Sequence, residues 1–263
     1  MSTARKRTRS YDPEKIRAAV MAQFDHVRVG ALALTDEQLS QPTRLGDWTV
    51  RELAAHIAMV LGLVARYLDE PEPPKQEMAL LDWPFATVTA AARVDDDTRA
   101  FAASAPVEEL FARTEAGLAV SLAGAPDDRL VPMRFGAMPL GDFLVTRTVE
   151  LIVHTDDLND ATGLGIPYDR QALGACTRLL ADALAVKAPG GSVEVRVPPY
   201  AVVQCVEGPR HTRGTPPNVV ETDPLTWIRL ATGRMTWAHA VEATLVSASG
   251  ERADLANLVP IMG

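Results

Sequence analysis

Asp142–Leu158 reads DFLVTRTVELIVHTDDL, and the fold turns on how that run is taken. On an α-helix, Glu150 and His154 stand four residues apart and share one face. Arg147, three residues before Glu150, and Asp157, three after His154, extend the same stripe. Leu144, Leu151 and Leu158 line a strip beside it, so the polar stripe borders a buried surface. A carboxylate and an imidazole in that position need partners, because burying them unpaired is costly. A divalent metal ion would serve, and so would an Arg147–Glu150 salt bridge.

Outward from this helix, which is expected to run from about Pro139 to Ala161, the upstream chain is also helical in pattern. Asp12-Pro13 places a capping acceptor before a proline at the first helical position, and Ile16, Val20, Phe24 and Val27 follow at helical spacing toward Gly30. Thr35–Leu39 reads as one further turn, and QPTRLGDW as a loop. Thr49-Val-Arg-Glu52 matches a capping box opening a helix to about Leu68. Leu53, His56, Val60 and Leu63 share its inner stripe, so His56 interrupts an apolar face either as a satisfied core histidine or as a ligand. EPEPPK is a loop, and helices are expected at about 84–103 and 107–122, divided by Pro106. With no convincing strand before Gly165, residues 11–166 read as a helical bundle.

Beyond a helix at about 169–187 the period changes. SVEVRV alternates apolar and polar residues as a half-buried strand does, YAVVQCVE is a second strand candidate, and Val219–Thr222 and ATLVSAS (243–249) are two more. Helices are expected from Asp223-Pro224 to Thr232 and near Arg252–Leu258, which makes 167–263 a smaller α+β unit with helices on one face of its sheet.

The chain has 263 residues, 47% hydrophobic and 23% charged, with a formal net charge of −8. Such a composition builds a real core and argues against nucleic acid as the main partner. Arg5, Lys6, Arg7 and Arg9 read as a flexible, solvated basic tail over 1–10. No apolar leader and no membrane-spanning run are legible, so a cytoplasmic protein that engages no membrane is expected, as a monomer or homodimer. Two cysteines exclude a disulfide framework, and Cys176 lies in a helical core pattern.

His56 on one helix with Glu150 and His154 on another offers two nitrogens and a carboxylate, and three protein ligands leave one position of a zinc ion open, as in catalytic sites. GDWTVRELAAHI (46–57) and VELIVHTDDL (149–158) resemble the two signatures of the mycothiol-dependent maleylpyruvate isomerase family, a branch of the DinB-like four-helix bundles. DPLTWIRLATGR (223–234) and ASGERADLANLV (248–259) are similar to the C-terminal sterol-carrier-like α+β domain found in that family.

The resemblance implies that His56, Glu150 and His154 bind zinc or another divalent metal and that Asp157 supports a ligand or bound water. It implies mycothiol or a similar low-molecular-weight thiol as cofactor, a small-molecule electrophile as partner, and isomerisation or S-transfer as the reaction. Arg147 stands where it could orient Glu150 or an anionic substrate, or simply form a salt bridge. Arg234, after Gly233, reads equally as an anion clamp facing the bundle or as an exposed arginine after a helix end. Trp48 reads as a packing anchor, and His26, His211 and His239 lack motif context. The paired arginines that a dicarboxylate such as maleylpyruvate would need are not legible. The alternative to an enzyme is an apolar-ligand carrier built on the second domain, or a metal-binding scaffold.

Overall fold

A computed structural model describes residues 9–209 and 216–262, the side chains of 90–92 excepted. Arg5, Lys6, Arg7 and His211 lie outside the described residues. Arg9, expected in a solvated tail, instead places its Nε 2.9 Å from Oδ2 of Asp182.

Helix α1 (Pro13–Leu32) begins as its capping residues dictate, with the Asp12 carboxylate accepting from the Lys15 amide. A single turn, α2 (Asp36–Leu39), and the long α3 (Val50–Asp69) each carry a complete capping box, Thr35 with Gln38 and Thr49 with Glu52. The segment expected as one helix over 84–103 is broken into α4 (Trp83–Ala86), a 3₁₀ turn over Thr87–Ala90 and α5 (Ala91–Ser104). The cause is the β-branched run Thr87-Val88-Thr89, whose two hydroxyls bond back to the carbonyls of Pro84 and Ala86 and compete with the helical pattern.

Helix α6 (Val107–Leu122) is followed by a two-residue strand pair that the sequence reading did not foresee, β1 (Leu130–Val131) against β2 (Met138–Pro139). Helix α7 (Leu140–Thr162) ends at Gly163, whose φ of 68° is the left-handed cap that glycine favours. Helices α1, α3, α6 and α7 pack into the bundle, with α5 lying on α3. Gln23 of α1, fully buried, ties it together by donating to the Thr155 hydroxyl of α7 and accepting from the Asp169 amide.

Helix α8 (Arg170–Lys187) packs on α1 and α7 and also on the sheet, and so joins the two parts. The sheet holds β3 (Val193–Val197), β4 (Ala201–Cys205), β5 (Val219–Thr222) and β6 (Val246–Ser249) in the order β4-β3-β5-β6. Strands β3 and β5 run parallel, and the other neighbours are antiparallel. The inward residues Val193, Val195, Val197, Val203, Cys205 and Val220 are buried in one core with α8 and α9 (Pro224–Ala231). The apolar face of the sheet is therefore filled by side chains of its own chain.

One expectation needs correcting here, and one element was not foreseen. The helix expected near Arg252–Leu258 is a series of turns, because Asn218 captures the Arg252 amide and Asp254 captures the Ala256 amide. A short helix not foreseen, α10 (Trp237–Glu242), is capped by Thr236 accepting from the His239 amide.

Candidate metal centre and adjoining cavity

Helix α7 is buried along most of its length, so its polar residues are held by packing rather than by solvent. One donor atom from each of His56, Glu150 and His154 lies within 4.8 Å of the others. Nε2 of His154 is 3.3 Å, and Nε2 of His56 is 3.7 Å, from the same Glu150 oxygen, Oε2. The two imidazoles meet edge to face with centroids 4.8 Å apart. Both rings are fixed from behind. Nδ1 of His56 is 3.1 Å from the buried Thr98 hydroxyl, and Nδ1 of His154 is 2.9 Å from Oδ2 of Asp157. A carboxylate only accepts, so Nδ1 of His154 carries a proton, and Nε2 is the nitrogen turned inward toward Glu150.

The electrostatics differ around the cluster. Burial, together with the charges of His154 and Arg147, lowers the His56 pKa against the pull of Glu150. Burial would lower His154 too, but hydrogen bonding to Asp157 and Glu150 outweighs it and raises the pKa. For Glu150, burial is overcome by the two histidines and Arg147, which hold the carboxyl well below the usual range. The set thus presents an ionised carboxylate and two oriented nitrogens around one point, which is the chemistry a divalent cation such as zinc requires.

Farther along α7, Asp156 and Asp157 anchor a network that ties the bundle to the C-terminal part. Arg44 donates to Asp157 at 2.7 Å and to Asp156 at 2.6 Å. Arg229 forks onto Asp156 at 2.9 and 2.6 Å, and the Tyr168 hydroxyl adds a bond at 3.0 Å. Arg234 reaches Asp157 at 3.0 and 3.3 Å. Asp157 is fully buried, and its bonds to His154 and Arg234 drive its pKa far down against desolvation. Arg234 is thus neither an exposed arginine nor a free anion clamp; it braces Asp157, which touches His154.

Arg147 forms the expected ion pair with Glu150 at 3.7 Å, without a hydrogen bond. It donates to the Val60 carbonyl and the Thr146 hydroxyl, and its guanidinium sits 4.6 Å from the Phe143 ring centroid. The cluster opens on a cavity of about 470 Å³ whose walls include Met59, Leu63, Trp83 and Phe135, and to which Thr232, Arg234 and Met262 contribute from the C-terminal part. Trp48, read as a packing anchor, is half-buried in that wall, its indole donating to Asp95 and its ring 5.0 Å from His56. Arg44, Thr98, Asp156, Tyr168 and Arg229 were missed from sequence; only the doubled aspartate of TDDL hinted at a second acidic partner.

Residues 18–159, over half the chain, match the mycothiol maleylpyruvate isomerase N-terminal domain. The chain belongs to this family. Residues 169–261 match the bacterial SCP ortholog family, in line with the sterol-carrier likeness. Two solved structures of a mycothiol-dependent maleylpyruvate isomerase share the fold. One has a TM-score of 0.61 at 16% identity, and the other, a histidine-to-alanine mutant, 0.60 at 14%. Each alignment covers 91% of this chain and 93% of the other. No curated protein gives a significant match. The family is named for an enzyme, so the expectation of an enzyme stands at the level of the family. No helix among the described residues is long and apolar enough to cross a membrane.

Proposed function

We propose that this family member is a divalent-metal enzyme, with zinc the expected ion, that uses a low-molecular-weight thiol such as mycothiol to isomerise or S-modify a small electrophile. The observation that carries this reading is the convergence of three donor atoms, within 4.8 Å of one another, at the side of a cavity of about 470 Å³. His56, Glu150 and His154 would hold the cation, which supplies a lowered pKa to a thiol reaching its open side. The thiolate chemistry then available is reversible addition to an activated double bond, with rotation about the intervening single bond, or transfer to an electrophile.

The chain's own residues set the conditions for that chemistry. Thr98 and Asp157 fix the two rings, and Arg44 and Arg234 in turn fix Asp157. The ionised Glu150 faces Nε2 of His154 at 3.3 Å and of His56 at 3.7 Å, so a cation held there would meet one carboxylate and two imidazoles. Apolar side chains such as Met59, Leu63 and Phe135 line the space beside the cluster and lower its polarity.

The deciding experiment is elemental mass spectrometry of the purified chain beside His154→Ala prepared identically, followed by thiol binding with and without metal. Near-stoichiometric zinc lost in the variant, and thiol binding that requires the metal, are expected. Metal absent from both proteins after zinc is supplied would sink the reading.

A further inference from the structure

We propose that the electrophile taken by this cavity has an apolar body and one anionic group, and that Arg147 is the residue that selects the anion. The inference rests on the thiol-enzyme reading above and names the class of its second substrate.

Three arginines line the cavity among the described residues. Arg134 is bonded to Asp97 at 2.7 Å, and Arg234 to Asp157 at 3.0 Å, so each of these cations hydrogen-bonds a carboxylate. Arg147 differs. Its hydrogen bonds go to neutral oxygens, the Val60 carbonyl at 3.2 Å and the Thr146 hydroxyl at 3.2 and 3.1 Å. Its ion-pair partner, Glu150 at 3.7 Å, takes no hydrogen bond from it and belongs to the donor cluster. A guanidinium has five N–H donors, of which these contacts use three, so Nη1 and Nη2 each retain one. The residue is only 4% exposed, so its charge is held at a desolvation cost.

The surroundings decide what would offset that cost. Phe143 and Trp83 lie 4.6 and 5.9 Å from the guanidinium carbon, and Met59, Leu63 and Phe135 continue the wall. A carboxylate or similar anion can take the two remaining donors as a charge-assisted pair, while an aryl or branched alkyl body fills the apolar space. A compact dicarboxylate fits poorly, because its second charge would face this apolar wall without a partner.

Isothermal titration calorimetry on metal-stripped and zinc-loaded protein tests this with three probes: 4-phenylbutyrate, the uncharged 4-phenylbutanol, and glutarate. In the stripped protein, 4-phenylbutyrate should bind about tenfold more tightly than either of the others, and Arg147→Gln should erase its advantage over the alcohol. Tighter binding of glutarate, or an acid preference that survives in Arg147→Gln, overturns the proposal. So does a preference that appears only with zinc, which would place the anion at the metal. If Arg147→Gln does not fold, the ranking of the three probes on the unmutated stripped protein still decides. The predicted ranking in a protein that never retains zinc would defeat the thiol-enzyme reading and leave this assignment standing.

Discussion

Two ends of the same polar stripe on α7 are treated very differently. Asp156 and Asp157 are buried, and three arginines and a tyrosine hydroxyl converge on their oxygens. Glu150, two turns earlier, receives nothing closer than the His154 nitrogen at 3.3 Å, and its side chain keeps 18% exposure toward the cavity. A carboxylate whose lone pairs are filled by fixed donors holds structure; one that is desolvated, ionised and undersupplied is ready for a cation from outside. The contrast separates scaffold from site along one helix.

The sharpest way to break that contrast is Asp157→Ala. Two arginines and one histidine lose their shared acceptor, and unfolding by urea should show a loss of about 3–5 kcal/mol. A loss under about 1 kcal/mol would put this network on a par with exposed ion pairs and dissolve the distinction. Thr98→Val probes the other end at smaller scale. Without the hydroxyl behind Nδ1 of His56, zinc affinity measured against a chromophoric chelator should fall about tenfold. Unchanged affinity would mean that packing, including the Trp48 ring, orients His56 unaided. Arg99→Ala supplies the baseline: its contacts to Glu52 and Asp95, each 3.1 Å, are solvent-exposed, and the same urea assay should register no more than about 1 kcal/mol.

The legible part of the molecule is the part specified locally. The stripes of α1 and α3, the capping boxes at Thr35 and Thr49 and the i, i+4 pair Glu150–His154 each rest on residues within a few positions of one another. The bracing of the site was hidden for the opposite reason. Arg44 and Arg229 meet Asp156 across sequence separations of 112 and 73, and nothing around them distinguishes these residues from ordinary surface charge. Thr98 sits in VDDDTR, a run whose polarity suggests a solvated face, yet it is fully buried. Arg147 illustrates a third limit: the spacing predicted its ion pair with Glu150, which forms at 3.7 Å, but not that its hydrogen bonds go to Val60 of α3 and to its neighbour Thr146. The turns at 251–258 and helix α10 were misjudged because competition from side-chain caps, here Asn218 from β5's flank and Thr236, is settled only in three dimensions.

The contribution of Thr232, Arg234 and Met262 to the cavity has a consequence for how the protein is made. All three metal-ligand candidates have left the ribosome long before these residues are translated. A nascent chain that has exposed the donor triad therefore still lacks one wall of the chamber beside it. Synthesis must proceed at least to Met262 before that chamber is complete.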